Sequence, residues 1–362
     1  MIVLFVASAA QCGKVWLTVS SLCKPIAASD NVVDAVLEVN WELDCPTSKE
    51  YPDTIKVFTD DPVHSNKPKL ILSPLEHPRG YYRTNITVGR PPLPGGWDTR
   101  DGATLPGPHC LKHHVALYKD GDLCMSSCLR IWPTWMYDLR LPIGSLMIPG
   151  THNSGCYEHV DLTRRVFQSY LLTQDRDVWT QLVHGIRYLD IRVGYYPSKP
   201  NATEHDEESK NITRFWVNHD TSRITPLSPI IKDVRNFLDV ARGEVWLWPS
   251  LSQAWGNQQT VKGLFKYLDD VIMGPKISKN SPNPLWVVMA ELTPFPLDVI
   301  FEPAGGLREM ADLVNRNLTV RFQEKWWKET NIVATDFFLG NNLIDVSIQS
   351  NIKKSNIAQW RS

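Results

Sequence analysis

The pattern of apolar and polar residues divides the chain into two parts. In the first part, short runs alternate between apolar and polar positions and are separated by turn residues, as in VWLTVSSL, AVLEVNWEL and HHVALYKDGD. This alternation is typical of strands with one buried face. Residues 13–138 are therefore predicted to form an all-β sandwich, with the Pro/Gly-rich stretch at 91–102 as an irregular loop inside it.

Residues 139–362 alternate between strand-like and helix-like segments. Helical spacing of apolar residues is clear in TQDRDVWTQLVHG and PLSPIIKDVRNFLDVARG, which end at Gly185 and Gly243. This order predicts an α/β fold in which parallel strands wind into a barrel. Six strands are clear, so an eight-stranded barrel would need two weak or distorted ones: SLMIP, RYLDIRV, FWVNHD, EVWLWPS, LWVVMAEL and NIVATDFFL.

The start of the chain and its sequons suggest export. MIVLFVASAA is an apolar run that ends in small residues, so residues 1–12 are interpreted as a signal peptide. No basic residue precedes the run, which leaves a buried N-terminal strand as the alternative. N-glycosylation sequons favour a secreted, extracellular protein, and they lie at Asn85, Asn201, Asn211 and Asn317.

The cysteines are concentrated in the first part of the chain. Six of seven precede residue 130, which predicts a module stapled by disulfides in an oxidising compartment. Cys124 and Cys128 are spaced like zinc ligands, but no matching Cys/His pair accompanies them, so a metal site is not predicted. The cysteines of this module are Cys12, Cys23, Cys45, Cys110, Cys124 and Cys128; Cys156 lies outside it.

Charge and hydropathy exclude two classes of protein. The formal net charge is −1, with 38 Lys and Arg against 39 Asp and Glu, and no basic cluster is dense enough to track a phosphate backbone. Nucleic acid is therefore not expected as a partner. Beyond the first residues, no apolar stretch approaches the ~18 residues that a membrane span requires.

The sharpest local signal is LPIGSLMIPGTHNSG at 141–155, where an apolar strand runs into a polar turn. Loops that follow barrel strands build the active site, so His152 and Asn153 are placed at the reactive rim. A single histidine after a strand can also be a structural residue that only makes hydrogen bonds.

A second signal lies in HGIRYLDIRVGYY. Side chains alternate along a strand, so Tyr188, Asp190 and Arg192 are expected to face the barrel interior, while Leu189, Ile191 and Val193 face the outer helices. A buried carboxylate and guanidinium without a task are costly. A structural ion pair between Asp190 and Arg192 is the alternative to a catalytic role.

The order of three motifs, PGTHNSG, GIRYLDIRVG and VNHD, resembles the X domain of phosphatidylinositol-specific phospholipases C. The resemblance runs from about residue 139 to at least 250 and resumes at 331–351. It implies a distorted TIM-type barrel that cleaves phosphoinositide-type phospholipids at a membrane surface. The products would be diacylglycerol and an inositol phosphate.

The resemblance also implies roles for individual residues. His152 matches the general base and His219 the general acid, with Asp190 orienting His219 and Asp336 orienting His152. Arg192 would clamp the phosphate, and Asn153 would lie at the substrate. Two imidazoles suit these roles because histidine titrates near neutral pH.

One departure from the family bears on cofactors. Calcium-dependent members carry an acidic ligand where Arg192 stands, although Asn153 and Asp190 match other ligand positions. A cation at this position would repel calcium, so we expect no cofactor. Two alternatives remain: a Mg²⁺-dependent enzyme like glycerophosphodiesterases or sphingomyelinase D, and a secreted lipid-binding protein without activity.

Overall fold

The computed structural model describes residues 13–25, 33–43, 52–100, 104–136, 139, 141–157, 169–197, 214–244, 251–274, 285–301 and 305–359. They form two compact units. The first unit holds the described residues up to Ser20, those of Asp34–Pro91 and those of Cys110–Arg130. The second unit holds the described residues within Ser21–Val33, Pro92–His109 and Ile131–Ser362.

The first unit is all-β, as predicted, and is built from two antiparallel sheets. The strand order is β1-β2-β5 in one sheet and β4-β3-β6-β7 in the other, where the strands are β1 (Lys14–Pro25), β2 (Val33–Glu42), β3 (Thr54–Phe58), β4 (Leu70–Leu72), β5 (Tyr81–Thr87), β6 (His109–Lys119) and β7 (Asp122–Ile131). Alternate residues are buried. Ile55 pairs with Leu117 and Val57 with Val115, and all four side chains lie inside.

A disulfide between Cys110 and Cys128 joins β6 to β7, which confirms part of the cysteine prediction. Cys124 was expected in the same framework, but it is an exposed free thiol. Cys156 is buried and free. The side chains of Cys12, Cys23 and Cys45 lie outside the part of the chain that the structure describes, so their predicted disulfides stay predictions.

The loop at 91–102 was expected inside the β module, but most of it belongs to the second unit. The reason is Trp97, which is fully buried. Its ring centre lies 6.2 Å from that of Trp179 and 6.0 Å from that of Phe237. The carbonyl of Trp97 also accepts a hydrogen bond from the Trp179 indole at 3.1 Å. Contacts this distant in sequence leave no local pattern.

The second unit is α/β, which confirms the predicted class. Five strands form a parallel sheet in the order β13-β14-β15-β8-β9. The last strand, β15, thus pairs with the first, β8, as barrel closure requires. The strands are β8 (Ile148–Thr151), β9 (Tyr188–Leu189), β10 (Val193–Tyr195), β11 (Phe215–His219), β12 (Ser222–Pro226), β13 (Ser252–Ala254), β14 (Trp286–Met289) and β15 (Ile332–Thr335).

FWVNHD does not form a parallel barrel strand, contrary to the prediction. It is β11, the centre of an antiparallel sheet in the order β10-β11-β12. Val193 pairs with Val217 and Tyr195 with Phe215, so β10 and β11 run in opposite directions. EVWLWPS lies outside the described residues except for Glu244, and β13 follows it.

Helices α1 (Val178–His184), α2 (Leu227–Val240), α3 (Val261–Met273), α4 (Pro296–Phe301), α5 (Leu307–Arg321) and α6 (Leu343–Gln359) complete the unit. The Asp177 side chain caps α1 by accepting from the Thr180 amide. Gly185, with φ of +120°, ends it as predicted. No helix among the described residues has the length and apolar character needed to cross a bilayer.

The parallel sheet has apolar clusters on both faces, as expected for strands enclosed on two sides. Met147, Val288 and Val333 belong to the cluster that contains residues of α3 and α5. Alternate residues belong to a second cluster around Trp135, which contains Ile148, Val287, Met289, Ile332 and Ala334, with Tyr188 packed against it. We call the side of this second cluster the inner face.

Candidate active site

Four ionisable side chains continue the inner face at the carboxyl ends of the parallel strands. Thr335 pairs with Thr151 and Thr151 with Leu189, so the residues that follow these strands meet at one edge. The Ala290 amide donates to the Ala334 carbonyl at 2.9 Å and brings β14 to the same level. By alternation, the side chains on the inner face at this edge are His152, Asp190, Glu291 and Asp336.

His152 and Asp336 form a buried pair. His152 Nδ1 lies 2.8 Å from Asp336 Oδ1, and both side chains are at most one-tenth exposed. A carboxylate on Nδ1 fixes the tautomer and leaves Nε2 available for a substrate. The structure therefore brings together two residues that the sequence places 184 positions apart.

His219 faces His152 across the site. The two ring centres are 6.3 Å apart and the rings are perpendicular. Asp190 was expected to orient His219, but the structure assigns that contact to the main chain: His219 Nδ1 lies 2.9 Å from the Leu171 carbonyl oxygen. Because a carbonyl only accepts, Nδ1 carries the hydrogen and Nε2 is the free nitrogen.

Asp190 instead organises Asn153 and Arg192. Asp190 Oδ2 accepts a hydrogen bond from the main-chain N–H of Asn153 at 3.2 Å and another from the Arg192 guanidinium at 3.0 Å. Arg192 is less enclosed than expected, with 43% of its side chain exposed. Val193, expected under the outer helices, is also exposed. Asp190 contacts Nε and Nη2 of the guanidinium, which leaves the N–H groups of Nη1 for an anion.

The Asn153 side chain is fully buried, yet neither its oxygen nor its nitrogen has a hydrogen-bond partner. Its φ of +43° lies in the left-handed region, which asparagine tolerates better than most residues. A strained backbone and an unpartnered amide both cost free energy. This cost is consistent with a side chain that is held ready for a ligand.

Glu291 is the residue that the sequence analysis missed. It is buried, and neither carboxylate oxygen has a hydrogen-bond partner. The sequence LWVVMAEL did contain a signal. Val287, Met289 and Glu291 are spaced two residues apart, so they share one face of the strand, as Tyr188 and Asp190 do on theirs. The sequence alone does not show which face of this strand is enclosed. A glutamate at the end of a strand therefore looks the same whether its side chain is buried or exposed to solvent.

The carboxylates set the charge of the two histidines. Burial alone would lower the pKa of His152, but the charges of Glu291, Asp336 and Asp190 together raise it to about 9. Burial lowers the pKa of His219, and the Leu171 carbonyl only partly opposes it. Burial raises the pKa of Glu291 to about 7, against the opposing charge of His152. In the substrate-free protein His152 therefore rests protonated and His219 neutral at pH 7.

Removing the Asp336 charge should move the His152 titration to lower pH. In Asp336→Asn, the pKa of His152 should fall by more than about one unit, because a carboxylate in direct contact favours the imidazolium. Glu291→Gln should shift it in the same direction. Histidine NMR titration measures both, with Asp239→Asn on the exposed side of α2 as the control. An unchanged titration in Asp336→Asn would contradict the pairing.

One contact of the site bears on whether it could hold a divalent cation. The Arg192 guanidinium lies 3.0 Å from Asp190 Oδ2, where it would repel a metal ion. Among the described residues, only Cys110, His114 and Cys128 form a His/Cys/Asp/Glu trio with ligand atoms within 4.8 Å of one another, and a disulfide joins its two cysteines. The carboxylates of the site do not form such a trio.

Comparisons with known proteins were made at the level of family models, curated proteins and solved structures. No family model matches the chain. PI-PLC X domain-containing protein 1 of Homo sapiens is 23% identical over 310 residues, which covers 64% of this chain and 92% of that protein. The resemblance to the PI-PLC X-domain family is thereby confirmed.

Two solved structures are also similar. The phosphatidylinositol-specific phospholipase C of Listeria monocytogenes is 16% identical with a TM-score of 0.39, covering 60% of this chain and 97% of that one. The corresponding Staphylococcus aureus enzyme, in a structure on modulation of its membrane binding, is 14% identical with a TM-score of 0.42, covering 60% and 97%.

Proposed function

We propose that this chain is a phosphoric diester hydrolase or lyase that cleaves phosphoinositide-type phospholipids to diacylglycerol and an inositol phosphate. The observation that carries the proposal is the facing pair of imidazoles 6.3 Å apart, one backed by a carboxylate and the other by a carbonyl. A protein that only binds lipid has little use for both an acid and a base.

The geometry supports an in-line transfer at phosphorus. His152 Nε2 takes the proton of the inositol 2-hydroxyl, and that oxygen attacks phosphorus. As the bond from phosphorus to the glycerol oxygen breaks, His219 Nε2 delivers a proton to that oxygen and diacylglycerol leaves. Arg192, fixed by Asp190, binds the phosphoryl oxygens and stabilises the charge that develops on them.

The resting charges are opposite to those that this step requires. His152 acts when neutral, but its raised pKa keeps it protonated at pH 7; His219 acts when protonated, but its lowered pKa keeps it neutral. Only a small fraction of the protein is therefore in the protonation state that reacts. That low population is offset because neutral His152 is a strong base and protonated His219 is a strong acid. Reversed roles would give the same bell-shaped pH profile, so pH alone does not separate the two assignments.

We propose that the reaction needs no metal. Chelation with EDTA should leave turnover of phosphatidylinositol within about twofold of the untreated rate, because the Arg192 guanidinium, which lies 3.0 Å from Asp190 Oδ2, would repel a metal ion there. Inductively coupled plasma analysis of the chelated protein serves as the control for metal content. Loss of activity that Ca²⁺ or Mg²⁺ restores would favour the Mg²⁺-dependent phosphodiesterase instead.

We also propose that the protein is exported, although residues 1–12 lie outside the described part of the chain. Two of the four sequon asparagines, Asn85 and Asn317, are described, and both are exposed. The disulfide between Cys110 and Cys128 is consistent with an oxidising compartment.

A further inference from the structure

Residues 171–174 lie between β8 and α1 and contact both histidines of the site. At one end of this segment, the Leu171 carbonyl holds Nδ1 of His219 at 2.9 Å. At the other end, the side-chain amide of Gln174 donates a hydrogen bond to the main-chain carbonyl of His152 at 2.9 Å. The separation of the two imidazoles therefore depends on this segment as well as on the strands.

Gln174 forms an additional rung between the ends of β8 and β15. The sheet ladder reaches this level with a hydrogen bond from the His152 amide to the Thr335 carbonyl at 3.0 Å. Gln174 Nε2 then donates to the His152 carbonyl and to the Thr335 carbonyl, each at 2.9 Å, and its side chain is fully buried. Asp336 directly follows Thr335. One amide group thus holds the main chain on both sides of the pair of His152 and Asp336.

Thr173 contacts two residues with a left-handed backbone. Asn153 and Phe337 have φ values of +43° and +45°, and they directly follow His152 and Asp336. The Thr173 hydroxyl donates to the Asn153 carbonyl at 3.0 Å, and the Thr173 carbonyl accepts from the Phe337 amide at 2.7 Å. A left-handed φ is unfavourable for a bulky residue and persists only where its surroundings impose it. The contacts of Thr173 stabilise both turns.

A buried amide with hydrogen-bond partners is ordinary, so the bonds of Gln174 could serve stability alone. The chain offers a matched comparison in Asn331, which is also buried and lies at the amino end of β15, away from the site. Asn331 Nδ2 donates to the carbonyls of Ile143 and Leu146, and its Oδ1 accepts from the Trp286 amide. Gln174 likewise donates to two carbonyls and accepts from one amide. The two side chains differ in which carbonyls they bind.

We propose that Gln174 is a positioning residue, which keeps His152 against Asp336 and, through residues 171–174, keeps His219 opposite His152. Its effect on turnover rests on the proposed function. Its effect on the titration of His152 is independent of any substrate. Gln174 thus acts through the main chain of the site, without a hydrogen bond to either imidazole.

Gln174→Met tests the proposal, because methionine keeps the length of the side chain and removes its hydrogen bonds. The kcat for phosphatidylinositol should fall by at least about tenfold, since small displacements of catalytic groups are costly. KM should stay within about twofold, because the groups that bind the substrate remain in place. The pKa of His152, which the neighbouring carboxylates raise to about 9, should fall by about half a unit or more as the ring loosens from Asp336.

Asn331→Leu is the matched control, because it also removes a buried amide with three partners from the same sheet. It should lower the melting temperature as Gln174→Met does, but leave kcat within about twofold of the wild type and the His152 titration unchanged. Steady-state kinetics on mixed micelles, histidine NMR titration and thermal unfolding measure these quantities. Equal kcat and equal His152 titration in the two variants would make Gln174 a structural residue only and overturn the proposal.

Thr173→Val provides a second test if Gln174→Met does not fold. Valine keeps the shape of threonine and loses only the hydroxyl bond to the Asn153 carbonyl, so kcat should fall by at least about threefold. Thr330→Val is its control, because the buried Thr330 hydroxyl donates only to the Trp326 carbonyl, at the end of the sheet away from the site. Equal kcat in these two variants would overturn the proposal.

The positioning role and the chemistry fail separately. If the wild type cleaves phosphatidylinositol and Gln174→Met matches Asn331→Leu, only the positioning proposal is wrong. If the wild type cleaves no phospholipid, the proposed function falls and the His152 titration decides alone. A lower His152 pKa in Gln174→Met than in Asn331→Leu would then support the positioning role, and equal values would overturn it.

Discussion

Replacing His152 with alanine should lower turnover of phosphatidylinositol by about 10²- to 10⁴-fold, and His219→Ala should do the same. Each substitution removes one of the two proton transfers while leaving Arg192 and the binding groups in place. Because the two rings act in one step, the double variant should lose far less than the product of the two single losses. Steady-state kinetics on mixed micelles measures all three, with the exposed His64→Ala of the first unit as the control.

A substrate with an acidic leaving group separates the two roles. It needs no proton on departure, so it should partly restore turnover in His219→Ala but not in His152→Ala. Rescue of His152→Ala instead would reverse the assignment and make His152 the acid and His219 the base. Their resting charges, protonated and neutral, are also compatible with those roles. Equal rescue of both variants would contradict any division of labour between them.

Arg192 should carry the second largest effect. Arg192→Ala should lower kcat by about 10²- to 10³-fold, by analogy with losing one preorganised donor to the transition state. Arg192→Lys should recover only a small part, because an ammonium keeps the charge but not the two-pronged contact. Arg235→Lys, on the exposed side of α2, is the matched control.

The alternative role for Arg192 is structural, as the partner of Asp190. In that case Arg192→Ala would lower the melting temperature and raise KM without a selective loss of kcat, and Arg192→Lys would behave like the wild type. The 43% exposure of the Arg192 side chain argues against a large contribution to stability. A full recovery of kcat in Arg192→Lys would contradict the phosphate clamp.

Much of the site could be predicted because its residues sit in short motifs beside strands. Alternation placed Asp190 on the inner face, and the resemblance supplied the pairing of His152 with Asp336, which the structure shows at 2.8 Å. The contact of His219 could not be predicted. Its partner is the carbonyl of Leu171, and main-chain acceptors carry no signature in the side-chain sequence.

The remaining differences are tertiary in origin. The apolar and polar residues of β11 alternate as in a strand, but this pattern does not indicate whether the neighbouring strand is parallel or antiparallel. The antiparallel pairing with β10 is a tertiary contact. Trp97 likewise gives no local sign that it packs against Trp179 and Phe237. Glu291 becomes recognisable only when β14 is seen beside β15, so that its carboxylate is enclosed with those of Asp190 and Asp336.

The central claim is that the two histidines cleave phosphatidylinositol without a metal. The most direct test measures release of label from vesicles of phosphatidylinositol radiolabelled in the inositol ring, in a buffer that contains EDTA. The wild-type protein should release water-soluble labelled inositol phosphate and leave diacylglycerol in the membrane, and the double variant of His152 and His219 should release essentially none. A wild type that releases no label, or a double variant that releases as much as the wild type, would contradict the account.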